Sequence, residues 1–219
     1  MEMKKELKKT LTLTTIITLL PILVGLIYWN QLPKKMATHF DSAGAPNGWS
    51  SKWFAVIGIP IFLALVNVLC TILTETDPRR HKYPKKMMKL VYWICPVISW
   101  ICAGTVIGYG LGMEFNSMPQ FASFFVGILF VVIGNYLPKV KQNYYMGIKL
   151  PWTYSDEENW NRTHRMAGKL WVAGGIVILL NVFLGISGVE ILVLILMVVI
   201  PTVYSWEFSR KKDKEKMEE

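Results

Sequence analysis

The sequence predicts an all-α integral membrane protein, a bundle of about six transmembrane helices with both termini cytoplasmic. Three observations carry that prediction. Hydrophobic residues fill 53% of the 219 positions, and only 18% are charged although the net charge is +9. The apolar runs approach the roughly 20 residues a helix needs to cross a bilayer, too long for the elements of a soluble core. The charged stretches between those runs alternate in sign-bearing density, strongly basic on one side and nearly empty on the other.

The runs place spans at Thr10–Trp29, Trp53–Leu73, Met88–Gly112, Gln120–Leu137, Gly168–Gly185 and Val189–Trp206. Lipid offers no partners to backbone N–H and C=O groups, so such runs are helices rather than strands. Tyr28, Trp29, Trp49, Trp53, Tyr92, Trp93, Tyr204 and Trp206 fall near span ends, as an aromatic belt requires. The first run follows Lys4, Lys5, Lys8 and Lys9 as a signal peptide would. It exceeds an h-region and lacks a small-x-small site before Asn30, so it is expected to stay as the first helix.

Counting Lys and Arg gives the topology. The N-terminal tail, the two long connections after spans 2 and 4, and the C-terminal tail together hold 21, whereas the opposite side holds only Lys34, Lys35 and Lys52. The positive-inside rule puts the 21, and with them both termini, in the cytoplasm. The same rule accounts for the basic pI, and no direct nucleic-acid partner is expected. Residues 1–112 form a three-helix region with an outer loop at 30–52, and residues 113–219 a second with an inner loop at 138–167.

Cys70, Cys95 and Cys102 all lie in apolar runs, with no CxxC spacing, so neither a disulfide framework nor a metal site is expected. Gly104, Gly108 and Gly112 sit four apart on one face of the third span, a spacing that lets helices approach closely within the bundle. Pro21, Pro60, Pro96 and Pro201 are expected to kink their spans. No span has a charged residue near its centre, which weighs against ion-coupled transport.

Two polar segments are long enough to form sites. In the outer one, His39, Phe40, Asp41, Trp49 and Lys52 are the candidate recognition residues, and Asn47-Gly48 suits a tight turn between two short strands. One His and one Asp are too few for a zinc site. In the inner one, Ser155 and Glu158 form a capping box that starts a helix near Asp156 and runs on into span 5. Trp160, His164, Gly168 and Trp171 share one face of it. Interfacial anchoring explains Trp160, Lys139 and Lys141, but Asn135, Asn143 and His164 need specific partners if buried. Candidate ligand- or partner-binding residues are Asn135, Lys139, Asn143, Lys149, Trp152, Trp160, His164 and Arg165. There is no nucleophile elbow, HExxH or Gly-rich phosphate loop, and no cofactor is expected.

These segments resemble the SdpI family of bacterial membrane proteins, which includes immunity proteins against a peptide toxin. In the inner segment Gly134-Asn135, Pro138-Lys139, Asn143, Gly147-Ile148, Pro151-Trp152-Thr153, Trp160, Thr163-His164 and Gly168 carry the likeness. In the outer loop Pro33, His39-Phe40, Gly44, Gly48-Trp49 and Lys52 resemble a domain of unknown function often found at the family's N-terminus. The chain departs at Lys149-Leu150, where the family usually has Arg-Thr; lysine keeps the charge but loses the planar fork. The resemblance implies a non-enzymatic protector in the plasma membrane that meets an extracellular peptide toxin and recruits a cytoplasmic repressor protein. Two other readings stand beside it: a small transporter or efflux component, from the prolines in the spans, and a membrane enzyme using His164 with Asn143 and Asp156.

Overall fold

The computed structural model describes residues 2–41, 45–113 and 118–218. Gly44 of the outer segment and residues 114–117 of the connection after the third span lie outside the described residues. Among the described residues six helices are long and apolar enough to cross a membrane: Glu6–Ile27, Phe54–Thr76, Lys85–Gly110, Phe121–Lys139, Glu157–Leu184 and Val189–Glu215. Each overlaps one of the six apolar runs. The chain divides into two compact units, Met1–Thr76 with Lys85–Ala122, and Asp77–Pro84 with Ser123–Glu219.

The first unit begins with α1 (Glu2–Leu19) and α2 (Pro21–Ile27), separated at Leu20. Pro21 stands at the first turn of α2, where its missing N–H costs nothing. An antiparallel hairpin follows, β1 (Lys35–Phe40) and β2 (Pro46–Ser51), a small β element within the helical fold. Between the strands the Ala45 N–H reaches the Asp41 carboxylate at 2.9 Å. Asn47-Gly48, expected to be the turn, instead lies inside β2. Gly48 is needed there for another reason: a Cβ on it would stand 2.8 Å from the His39 Cβ across the ladder. A single π-helical turn (Phe54–Gly58) leads into α3 (Ile59–Thr76), and α4 (Lys85–Gly110) completes the unit. Leu32 and Met36 of the hairpin region pack with Ala55, Val56, Val106 and Ile107 in one apolar cluster. Farther along the spans the helices are tied by polar contacts: Asn67 Nδ2 donates to Thr14 Oγ1 (3.0 Å), and Ser99 Oγ to the Thr18 carbonyl (2.7 Å).

The second unit contains most of α5 (Met118–Tyr136), then α6 (Pro151–Ser155), α7 (Glu157–Leu184) and α8 (Val189–Glu218). Helix α7 starts where expected but with a different cap. Asp156, not Ser155, is the N-cap, its carboxylate accepting from the Glu158 and Asn159 N–H groups. Ser155 ends α6 and turns its hydroxyl to the Trp152 carbonyl. Pro96 and Pro201 lie inside α4 and α8 without interrupting them.

Gly104 and Gly112, two of the three glycines expected to let helices approach closely, do not mark such a contact. A Cβ on Gly104 would meet nothing within 4 Å, and Gly112 lies beyond the end of α4 with φ +75°. The tight seam joins α5 and α7. A Cβ on Gly134 would stand 2.9 Å from the Gly168 carbonyl oxygen, and one on Gly175 would stand 2.7 Å from that of Gly127. The two pairs are seven residues apart on each helix and run antiparallel, so the backbones touch two turns apart.

Candidate functional site

The site is the junction of residues 77–84 with 139–165, all in the second unit. Its base is α7. Trp160 and His164, one turn apart, are both fully buried and stack with ring centroids 4.1 Å apart. The Trp160 indole N–H donates to the Val140 carbonyl at 2.8 Å, pinning the start of the loop to the helix. His164 Nδ1 lies 2.8 Å from the Trp160 carbonyl, which can only accept. Nδ1 therefore carries the proton, and Nε2 accepts from the Ile148 N–H at 2.9 Å. The imidazole is thus neutral, one tautomer, and used at both nitrogens.

Gly147 makes this seat possible. Its φ is +108°, and a Cβ there would lie 2.3 Å from His164 Nε2 and 3.0 Å from the Trp160 ring. Only a residue without a side chain fits both the backbone conformation and the space.

Asn143, also fully buried, organises the middle of the loop. Its Oδ1 accepts from the N–H groups of Tyr145 (2.9 Å) and Met146 (2.6 Å) and from the Tyr83 hydroxyl (3.1 Å), while Nδ2 donates to the Lys141 carbonyl (2.7 Å). The Tyr83 hydroxyl also donates to Asp77, which is only 4% exposed. Asp77 accepts further from the Arg79 N–H (2.7 Å) and the Tyr144 N–H (3.1 Å). Burial, and then the bond to Asp77, raise the Tyr83 phenol well above its ordinary pKa. The carboxylate is held by directed donors, so it needs no cation in contact.

The outer rim is aromatic and basic. Arg79 lies over the Tyr144 ring at 4.7 Å and donates to Gln142 Oε1 (3.3 Å). Gln142 Nε2 in turn reaches the carbonyls of Thr153 (3.0 Å) and Tyr154 (2.9 Å). Lys149 donates to the Tyr144 carbonyl at 3.0 Å, and burial lowers its pKa against the opposing pull of Asp77. Its cation serves a backbone oxygen, a task one ammonium performs without a guanidinium fork. Tyr144, Tyr145 and Tyr154 keep large exposed faces.

Among the expected inner residues, the structure gathers Asn143, Lys149, Trp160 and His164. Trp152 stands nearby on α6 with its indole N–H buried and without a hydrogen-bond partner. Asn135 is exposed on α5 and Lys139 is exposed over the Tyr136 ring, so neither joins the network. Arg165 is exposed on a different face of α7, because it follows His164 by 100° of helix. Asp77, Tyr83 and Gln142 carry much of this clasp between residues 77–84 and 139–165 and were not singled out, and Gly147 and Thr153 entered only through the family resemblance. A second acid just beyond a span, two residues after Glu75 and followed by Pro78, was the available signal for Asp77.

The outer candidates belong to the first unit and have structural partners. Lys52 Nζ donates to the carbonyls of Trp29 and Leu32, both at 2.9 Å, and lies over the Trp29 ring. It caps the chain leaving α2. Phe40 packs edge-on against Tyr109, His39 contacts Asn47, and Asp41 closes the hairpin turn. Trp49 is left 54% exposed. Among the described residues no group of three or more His, Cys, Asp or Glu is placed to hold a metal ion.

Comparison with known proteins coincides with these two regions. The SdpI/YfhL protein family model matches residues 139–205, the loop and helices that build the clasp. A domain of unknown function (DUF1648) matches residues 16–64, which include the hairpin. The chain is 27% identical to the immunity protein SdpI of Bacillus subtilis (strain 168) over 202 residues, 91% of this chain and 95% of that one. No solved structure matches. With its six apolar helices, this SdpI relative is a multi-pass protein of the bacterial cell membrane.

Proposed function

We propose that the chain is an immunity protein, protecting the cell that carries it from an antimicrobial peptide toxin. The observation that carries this reading is the end-to-end likeness to an immunity protein, with the family segment falling on the buried clasp. The chemistry of the clasp supports binding over catalysis. His164 is fully buried with both ring nitrogens engaged by backbone groups, so it has no free position to move a substrate proton. Asn143 and Asp156 are likewise committed to backbone N–H groups.

On the charge asymmetry, the clasp faces the cytoplasm with both termini, and the hairpin faces outward. The toxin then meets the outer side, and the exposed tyrosines with Arg79 and Lys149 form the inner surface on which a repressor protein docks. Tyrosine suits such a surface because it brings large contact area at low entropic cost, and arginine joins it among the residues that anchor interfaces. Expression in a toxin-sensitive cell tests the protective role: survival on challenge is expected. Killing unchanged at normal membrane levels of the protein would sink it. Reporter fusions after Ser51 and after Glu218 test the orientation, with opposite-side signals expected.

A further inference from the structure

A groove of about 810 Å³ opens on α7 and α8, away from the clasp, where α7 meets its apolar run. Asn161, Arg165 and Lys169 line it at four-residue spacing, so they form one row along α7. Tyr204 of α8 and Met166 complete the part of the lining that matters.

The charges in and around the groove are not equivalent. Arg162 is paired with Glu158 at 2.9 Å, and Lys212 with Asp156 at 2.7 Å and Glu158 at 3.2 Å. Arg165 and Lys169 make no ion pair or hydrogen bond to any described residue. Glu157, the acid not so paired, lies eight residues before Arg165, about 12 Å away along the axis at 1.5 Å per residue. The groove is therefore acidic at its entrance and cationic about two to three turns nearer the hydrocarbon.

That depth identifies the occupant. The apolar run of α7 begins at Leu170, directly after Lys169, and Tyr204 stands near the polar end of the apolar run of α8. Two unpaired cations at this boundary lie at the level of lipid phosphates. A guanidinium fork and an ammonium together match the several acceptor oxygens of one phosphodiester. Met166 offers the apolar contact that the glycerol and upper acyl chain would take, a surface of no use to free phosphate.

We propose that this groove is a headgroup site for an anionic phospholipid, with Arg165 and Lys169 on the phosphate and Asn161 and Tyr204 as neutral donors. It is independent of the clasp and of the immunity role. The test uses the full chain purified in nanodiscs of phosphatidylcholine with increasing phosphatidylglycerol, reading lipid retained on extraction by native mass spectrometry. The wild type is expected to retain phosphatidylglycerol over phosphatidylcholine. Each basic residue near an anionic surface is worth about fivefold, so Arg165→Gln with Lys169→Gln is expected to lower that preference by roughly 30-fold. A control with the same charge change elsewhere, Lys86→Gln with Lys214→Gln, is expected to change it less than about threefold. Equal loss in both double variants would reduce the effect to net charge and overturn the site. So would an unchanged preference in the first, or displacement of the lipid by millimolar inorganic phosphate. Melting temperatures of all three proteins in phosphatidylcholine alone confirm that the comparison is between folded chains.

Discussion

Gly147→Ala tests the clasp most directly, because the structure gives two separable costs for one methyl group. The first is conformational: at φ +108° an L side chain is strained, costing about 1–2 kcal/mol. The second is steric. The new Cβ would sit 2.3 Å from His164 Nε2, displacing the imidazole from the Ile148 N–H and overpacking the stack on Trp160, about 1–3 kcal/mol more. A total near 3 kcal/mol corresponds to a melting temperature lowered by roughly 10 °C. Thermal unfolding of the purified protein in one detergent, followed by intrinsic tryptophan fluorescence, measures it. The decisive comparison is a double-mutant cycle with His164→Ala. Removing the imidazole empties the space the methyl enters, so in that background Gly147→Ala should cost only the backbone strain, about 1–2 kcal/mol. Strictly additive losses would show that Gly147 and His164 do not meet, and the account of the clasp would fail.

Three other outcomes follow from the same contacts. Tyr83→Phe removes the hydroxyl shared by Asp77 and Asn143 and is expected to cost about 1–3 kcal/mol in the same unfolding assay; a neutral result would remove Tyr83 from the clasp. Gly104→Ala is expected to be neutral or stabilising by up to about 1 kcal/mol, since its Cβ enters open space and alanine favours helix, whereas Gly134→Ala should lower the yield of folded protein in detergent. At Asp156 burial opposes ionisation, but the Lys212 ammonium and the Glu158 and Asn159 N–H groups outweigh it and hold the carboxyl below its ordinary 3.8. Its stabilising effect is then present above about pH 4 and lost as pH falls through the lowered folded-state value, so Asp156→Asn should flatten the acid limb of a stability–pH curve.

Much of the fold was legible because the bilayer permits so few solutions. Each apolar run near 20 residues has to be a helix, and the runs from Thr10 to Trp206 correspond to the six long helices. Within the site, Trp160 and His164 were readable from their one-turn spacing, and Asn143 from the cost of burying an unsatisfied amide. Their partners were not. Asp77 lies 67 residues from the Tyr144 amide it accepts from, and Tyr83 lies 60 from Asn143, distances over which no local periodicity operates. The glycine seam was missed for a similar reason. Four-residue spacing drew attention to Gly104, Gly108 and Gly112, but the contact that matters pairs Gly127 and Gly134 with glycines on another helix. The hairpin shows a local signal misread: Asn47-Gly48 is a good turn pair, yet its glycine serves a close cross-strand approach to His39.

The unbroken length of α7 bears on how the two faces of the membrane communicate. From its Asp156 cap to its left-handed Gly185 end it has 28 residues, about 42 Å of continuous hydrogen-bonded helix. The turn that holds Trp160 and His164 is thus rigidly the same object as the segment that crosses the lipid. Backbone contact at Gly134 and Gly168 leaves no clearance for sliding, so that point behaves as a pivot. About that pivot a tilt of about 5° moves Leu184, about 24 Å along the rod, by about 2 Å, and His164, about 6 Å away on the other side, by about 0.5 Å. A shift of that size at His164 matches the whole spread of normal hydrogen-bond lengths, so a push on the far end of α7 would reach the clasp as strained bonds rather than broken ones.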